Sequence, residues 1–154
     1  MKSRDEFSLK LDEIMACHQL ATPAPTFPFY LCKVPAGFPA PTDDTVDRSL
    51  DLNELLIQHP AATFFVRVNG HSMIDANIFD QDILIVDRSV EPTHGKIVVA
   101  AVESAMTVKR LHIGKNNHIY LMPENPNFTP ITVDPEQGVY IWGVVTHIIH
   151  ATGS

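Results

Sequence analysis

Cysteine is scarce in this 154-residue chain, with two, Cys17 and Cys32, both near its start. That count provides no disulfide framework and no zinc-type spacing. Long apolar runs are missing as well. No stretch approaches the roughly 20 residues that a membrane-spanning helix needs, so no membrane partner is expected. The opening Met1-Lys2-Ser3-Arg4-Asp5-Glu6 has no signal-peptide core, and a cytoplasmic location is the expectation. Positive charge is also in deficit: eleven Lys and Arg stand against eighteen Asp and Glu, a formal net charge of -7. Such a chain is repelled by a phosphate backbone, which argues against direct, sequence-specific DNA binding. Access to DNA through a protein partner stays open. His147 and His150 are three apart in a β-branched stretch. A strand points them to opposite faces, so neither a metal nor another cofactor is expected.

What is present divides near residue 42. Phe7, Leu11, Ile14 and Met15 fall at helical spacing and predict a short amphipathic helix over residues 6–20. Six of the twelve prolines then lie between positions 23 and 41, which forbids a helix and predicts an extended N-terminal arm. The arm carries Phe27, Phe29, Tyr30, Leu31, Val34 and Phe38, which a solvated linker does not need. Beyond it, Asp51-Leu52-Asn53-Glu54 reads as a capping box opening a short helix that ends before Pro60. Strand-like runs follow at 63–68, 82–87, 96–102, 106–113, 118–122, 131–133 and 139–149. Glu103-Ser104-Ala105 and Gly114-Lys115-Asn116-Asn117 read as hairpin turns. The expected fold is mainly β: a strongly bent antiparallel sheet or partial barrel, with a short helix and the extended arm. The expected domains are 1–41, the arm, and 42–154, the body.

Three features bear on chemistry. Asn69-Gly70-His71-Ser72-Met73-Ile74-Asp75 follows a predicted strand directly. Gly70 permits a sharp turn there, leaving the Ser72 hydroxyl exposed and backbone N–H groups facing a substrate carbonyl. The plainer alternative is that Ser72 caps a helical turn with help from Asp75. Within Met106-Thr107-Val108-Lys109-Arg110-Leu111, alternation places Thr107, Lys109 and Leu111 on one face. A lysine acts as a base only when neutral, so its pKa near 10.4 must fall by roughly three units, which burial achieves. The plainer alternative is a solvated strand lysine beside Arg110. Finally, Ala36-Gly37 lies within Val34-Pro35-Ala36-Gly37-Phe38-Pro39. Two small residues let a peptide bond enter a narrow cleft while the prolines keep the arm extended; otherwise Gly37 is an ordinary loop glycine.

The order and spacing of these features resemble the LexA/UmuD family of self-cleaving serine–lysine peptidases. There a small-residue–glycine cleavage site precedes a Gly-x-Ser-Met motif, and a Thr-Val-Lys lysine follows on a later strand. Here these are Ala36-Gly37, Gly70-His71-Ser72-Met73 and Thr107-Val108-Lys109. Ser72 lies 35 positions after Gly37, and Lys109 lies 37 after Ser72. The likeness also takes in residues 51–60, Asp82-Ile83-Leu84-Ile85-Val86-Asp87 and Gly143-Val144-Val145, and covers roughly residues 32 to 150. Only 36 residues precede Gly37, so the chain looks like the UmuD branch rather than the repressor branch. His71 departs from the acidic residue common at that position.

The resemblance implies a peptidase fold shared with LexA and signal peptidases. It implies Ser72 as nucleophile, Lys109 as base, the Ser72 N–H in the oxyanion hole and Ala36–Gly37 as the scissile bond. It implies cleavage assisted by the RecA–single-stranded DNA filament in the SOS response to DNA damage. The trimmed homodimer would then serve a UmuC-like Y-family polymerase in translesion synthesis. A non-enzymatic dimeric β binding module is the alternative from another class.

Overall fold

The computed structural model describes residues 26–30, 33–39, 41, 45–133 and 139–153. The helix expected over 6–20 lies outside them, as do Cys17 and Cys32. The chain forms two compact units, Met1–Gln58 and His59–Ser154.

In the first unit, β1 (Phe27–Tyr30) pairs antiparallel with β2 (Val46–Leu50), Phe27 opposite Leu50. The proline-rich arm is extended over residues 27–30, as the sequence predicts, and is paired there as a strand. Pairing is compatible with Pro28 because each strand of a two-stranded ribbon keeps one free edge, where a missing N–H costs no ladder bond. The short helix α1 (Leu52–Leu56) is capped by Asp51, whose carboxylate accepts from the Asn53 N–H at 2.8 Å. It stops well before Pro60, as the sequence predicts.

The second unit is one seven-stranded sheet. Its strands are β3 (Thr63–Arg67), β4 (Ile83–Asp87), β5 (Ile97–Val102), β6 (Ala105–Ile113), β7 (Ile119–Met122), β8 (Ile131–Thr132) and β9 (Tyr140–Ile149). They lie in the order β3-β4-β9-β5-β6-β7-β8, every pair antiparallel. The sheet does not close, in line with the expected mainly β, bent, partly barrel-like architecture. Its bending has a visible source in β9. Ile85 faces His147 but Val86 faces Val145, and Val99 faces Gly143 but Ala100 faces Ile141. Thr146 and Trp142 are thus extra residues, and each such bulge bends a strand and increases its twist. Between them Gly143 passes so close to β4 that a Cβ would stand 2.8 Å from Val86 Cγ1 and 2.9 Å from the Asp87 carbonyl oxygen.

Alternation along the strands builds the core. Val98 and Ala100 of β5, Leu111 of β6, Leu121 of β7 and Val144 of β9 pack together with Val133. The β5–β6 turn is Glu103-Ser104, both with positive φ (49° and 71°), as a two-residue hairpin turn of matching twist requires. Two buried carboxylates bracket β4 and are fully engaged, as buried charge must be. Asp82 accepts from His150 Nδ1 at 2.6 Å and from the Phe79 N–H. Asp87 meets His59 Nδ1 at 2.6 Å and both the N–H and hydroxyl of Ser89. Burial opposes ionisation of Asp87, but the bonds from Ser89 and His59 outweigh it and hold the carboxyl below its usual range.

Candidate active site

The serine turn is built by a glycine and anchored by apolar side chains. Gly70 takes a φ of +105°, a conformation that L side chains rarely adopt. Its N–H donates to Asp80 Oδ1 at 2.7 Å, tying the turn to the segment that leads into β4. Met73 and Ile78 are buried and fasten the far end. A short 3-10 turn does follow, at Ile74–Ala76, but its cap position is Met73 and no side chain caps it. The plainer reading of Ser72 as a helix cap is therefore not what the structure has.

The Ser72 hydroxyl instead meets Lys109. Lys109 Nζ lies 2.8 Å from Ser72 Oγ, 2.9 Å from Thr107 Oγ1 and 2.9 Å from the Val108 carbonyl oxygen. Lys109 shares the inward face of β6 with Leu111, as alternation predicts, and is only 7% exposed. Burial pushes its pKa below the usual lysine value. Three acceptors match the three hydrogens of an ammonium. In the neutral amine, Thr107 and Val108 retain the two N–H bonds, and the lone pair is left to accept the Ser72 O–H.

A second loop holds the serine turn from outside, and sequence reasoning did not find it. The Glu124 N–H donates to the Ser72 carbonyl at 2.8 Å, and the Glu124 carbonyl accepts from the Asp75 N–H at 2.9 Å. The Glu124 carboxylate pairs with Arg110, which stands beside Lys109 but on the opposite face of β6. Asn125 Nδ2 donates to the His71 carbonyl at 2.7 Å. The only local signal was Pro123-Glu124-Asn125-Pro126, a turn between two strands with nothing to connect it to a serine fifty residues away.

Comparison with known proteins gives the family. The Peptidase S24-like family profile matches residues 28–146, most of the chain. Protein MucA of Salmonella typhimurium is 46% identical over 123 residues, covering 79% of this chain and 83% of MucA. Protein ImpA of the same organism is 42% identical over 125 residues, covering 81% and 84%. The chain belongs to the LexA/UmuD family of S24-like peptidases. The LexA repressor of Cupriavidus necator is 36% identical over 149 residues, covering 97% of this chain and 64% of the repressor. That likeness reaches into the first 31 residues, where the sequence motifs of the family are absent.

Of the family positions matched in the sequence, Ser72 and Lys109 are brought together in the second unit. Ala36 and Gly37 lie in the first, within a bend, and both are exposed. A Cβ on Gly37 would meet nothing within 4 Å. His71 is exposed and is not a partner of the Ser72 hydroxyl. Among the described residues no group of three or more His, Cys, Asp or Glu is placed to hold a metal ion. Among them, too, no helix is long and apolar enough to cross a membrane.

Proposed function

We propose that this chain is a self-cleaving serine peptidase in which Ser72 is the nucleophile, Lys109 the general base and Ala36–Gly37 the bond cut. The observation that carries the reading is the 2.8 Å approach of Lys109 Nζ to Ser72 Oγ, at a lysine whose burial lowers its pKa. Neutral Lys109 takes the Ser72 proton as Oγ bonds to the Ala36 carbonyl carbon. The developing oxyanion is received by the Ser72 N–H. Lys109 then gives the proton to the Gly37 nitrogen as the C–N bond breaks. Water attacks the resulting ester with Lys109 again as base, releasing Ala36 as a carboxylate and restoring the Ser72 hydroxyl.

In this reading residues 1–41 are an arm carrying the cleavage site and 42–154 the peptidase domain. Family membership and the likeness to MucA and ImpA support a place in SOS mutagenesis. The RecA–single-stranded DNA filament favours the cleavage-competent conformation in the cytoplasm. The product, Gly37 to Ser154, is a homodimer that joins a UmuC-like Y-family polymerase in translesion synthesis. The test is intact-mass measurement on purified protein held at alkaline pH, with Ser72→Ala alongside. Two fragments meeting between Ala36 and Gly37, in wild type alone, are expected. An uncut wild-type chain would return the protein to the class of non-enzymatic dimeric β binding modules.

A further inference from the structure

Asn125 is only 7% exposed, and its amide is held in a single orientation. Its Oδ1 accepts from the Asn127 N–H at 3.0 Å, which identifies the other amide atom as nitrogen. Its own carbonyl accepts from the Phe128 N–H at 3.1 Å, closing a turn that fixes the residue's backbone. Nδ2 is thereby aimed at the His71 carbonyl, 2.7 Å away. A trans peptide is planar, so its C=O and N–H point in opposite directions. The group opposite the His71 carbonyl is the Ser72 N–H, which has no acceptor among the described residues. The Glu124 N–H pins the next carbonyl, that of Ser72, so both peptide planes flanking the nucleophile are held by one loop.

We propose that Asn125 is a positioning residue for acyl transfer: by holding the His71 carbonyl, it aims the Ser72 N–H at the oxygen that becomes negative during attack. This rests on the self-cleaving reading above. Asn125 touches neither the scissile bond nor Lys109; it acts through the His71–Ser72 peptide. A pre-aimed donor of this kind is commonly worth a factor of roughly a hundred or more in rate.

Asn125→Asp isolates the effect, because it keeps the oxygen that accepts from Asn127 and replaces the donor to His71 with a second acceptor. The plateau rate of self-cleavage should fall by roughly a hundredfold, while in the uncharged Asn125→Ser the pH midpoint of the rate, which reports Lys109, stays where it is. In a Ser72→Cys background, alkylation by iodoacetamide forms no oxyanion and should proceed equally fast with and without Asn125→Asp. Asn125→Ser serves for the same readouts if the first variant does not fold. Cleavage of folded Asn125→Asp at the wild-type rate overturns the proposal, as does a loss in the uncharged Asn125→Ser accompanied by a shifted midpoint or slowed alkylation. Failure of both variants to fold overturns it too, since Asn125 would then serve stability rather than aim. The two readings separate cleanly: wild type that does not cut removes both, whereas wild type that cuts no faster than Asn125→Asp removes only this one.

Discussion

Lys109 Nζ sits 2.9 Å from Thr107 Oγ1, its neighbour two positions back on the same face of β6. In the proposed reaction this hydroxyl and the Val108 carbonyl take the two hydrogens of the neutral amine and leave its lone pair for Ser72. Thr107→Val keeps the side-chain shape and removes the acceptor. One hydrogen bond of about 1 to 1.5 kcal/mol corresponds to a cleavage rate lower by roughly tenfold. Time courses on gels at fixed pH measure it, and an unchanged rate would remove Thr107 from the argument.

Ser72→Ala and Lys109→Ala should each lower cleavage by at least about a thousandfold, as expected when one member of a cooperating pair is lost. Ser72→Cys should retain part of the activity, because a thiol needs less help from a base. Circular dichroism confirms that each variant is folded before its rate is read. Cutting by Lys109→Ala at the wild-type rate would remove the lysine from the reaction.

In the proposed reaction only neutral Lys109 is competent, so the rate should climb with pH and then level. The pKa is lowered by burial, which places the levelling below the unperturbed 10.5. Rates of folded protein between pH 6 and 11 decide the matter: a rate still rising tenfold per unit at pH 10.5, or falling throughout, contradicts it. The same shift has a consequence for stability. Between the folded and unfolded pKa values the unfolded chain binds more protons, so stability rises with pH across that window. Denaturant titrations of Ser72→Ala with and without Lys109→Met should therefore diverge in favour of the lysine form as pH increases toward 10.5.

Gly37→Glu should stop cleavage and leave the fold alone. Space around Gly37 is open, so the larger side chain meets no obstacle in the structure itself. Its carboxylate would, however, have to lose its water to enter a narrow cleft. Ser72 should still react with a small fluorophosphonate in this variant. A trimmed product formed at wild-type speed would move the cleavage site elsewhere.

Much of this protein was determined locally and is therefore legible in the chain. Strands from β3 to β9 follow apolar alternation and β-branched content, which act between near neighbours. The Glu103-Ser104 turn and the Asp51 cap likewise need only a few adjacent residues. Alternation also places Lys109 with Leu111 on the inward face of β6, and so accounts for its burial.

The tertiary structure decided the rest, because it depends on which distant strands become neighbours. Local sequence cannot tell a serine that caps a helical turn from one whose hydroxyl meets a distant side chain; the contact with Lys109, 37 residues away, exists only in the assembled sheet. Pro28 within a paired strand was hidden because the cost of its missing N–H depends on which edge faces a partner. Asn125 was hidden for the same reason. An asparagine between two prolines reads as turn chemistry, and its donation to His71 exists only because the loop after β7 returns over the serine turn, 54 residues distant along the chain. Periodicity records which face a side chain occupies; only the assembled sheet sets what stands across from it.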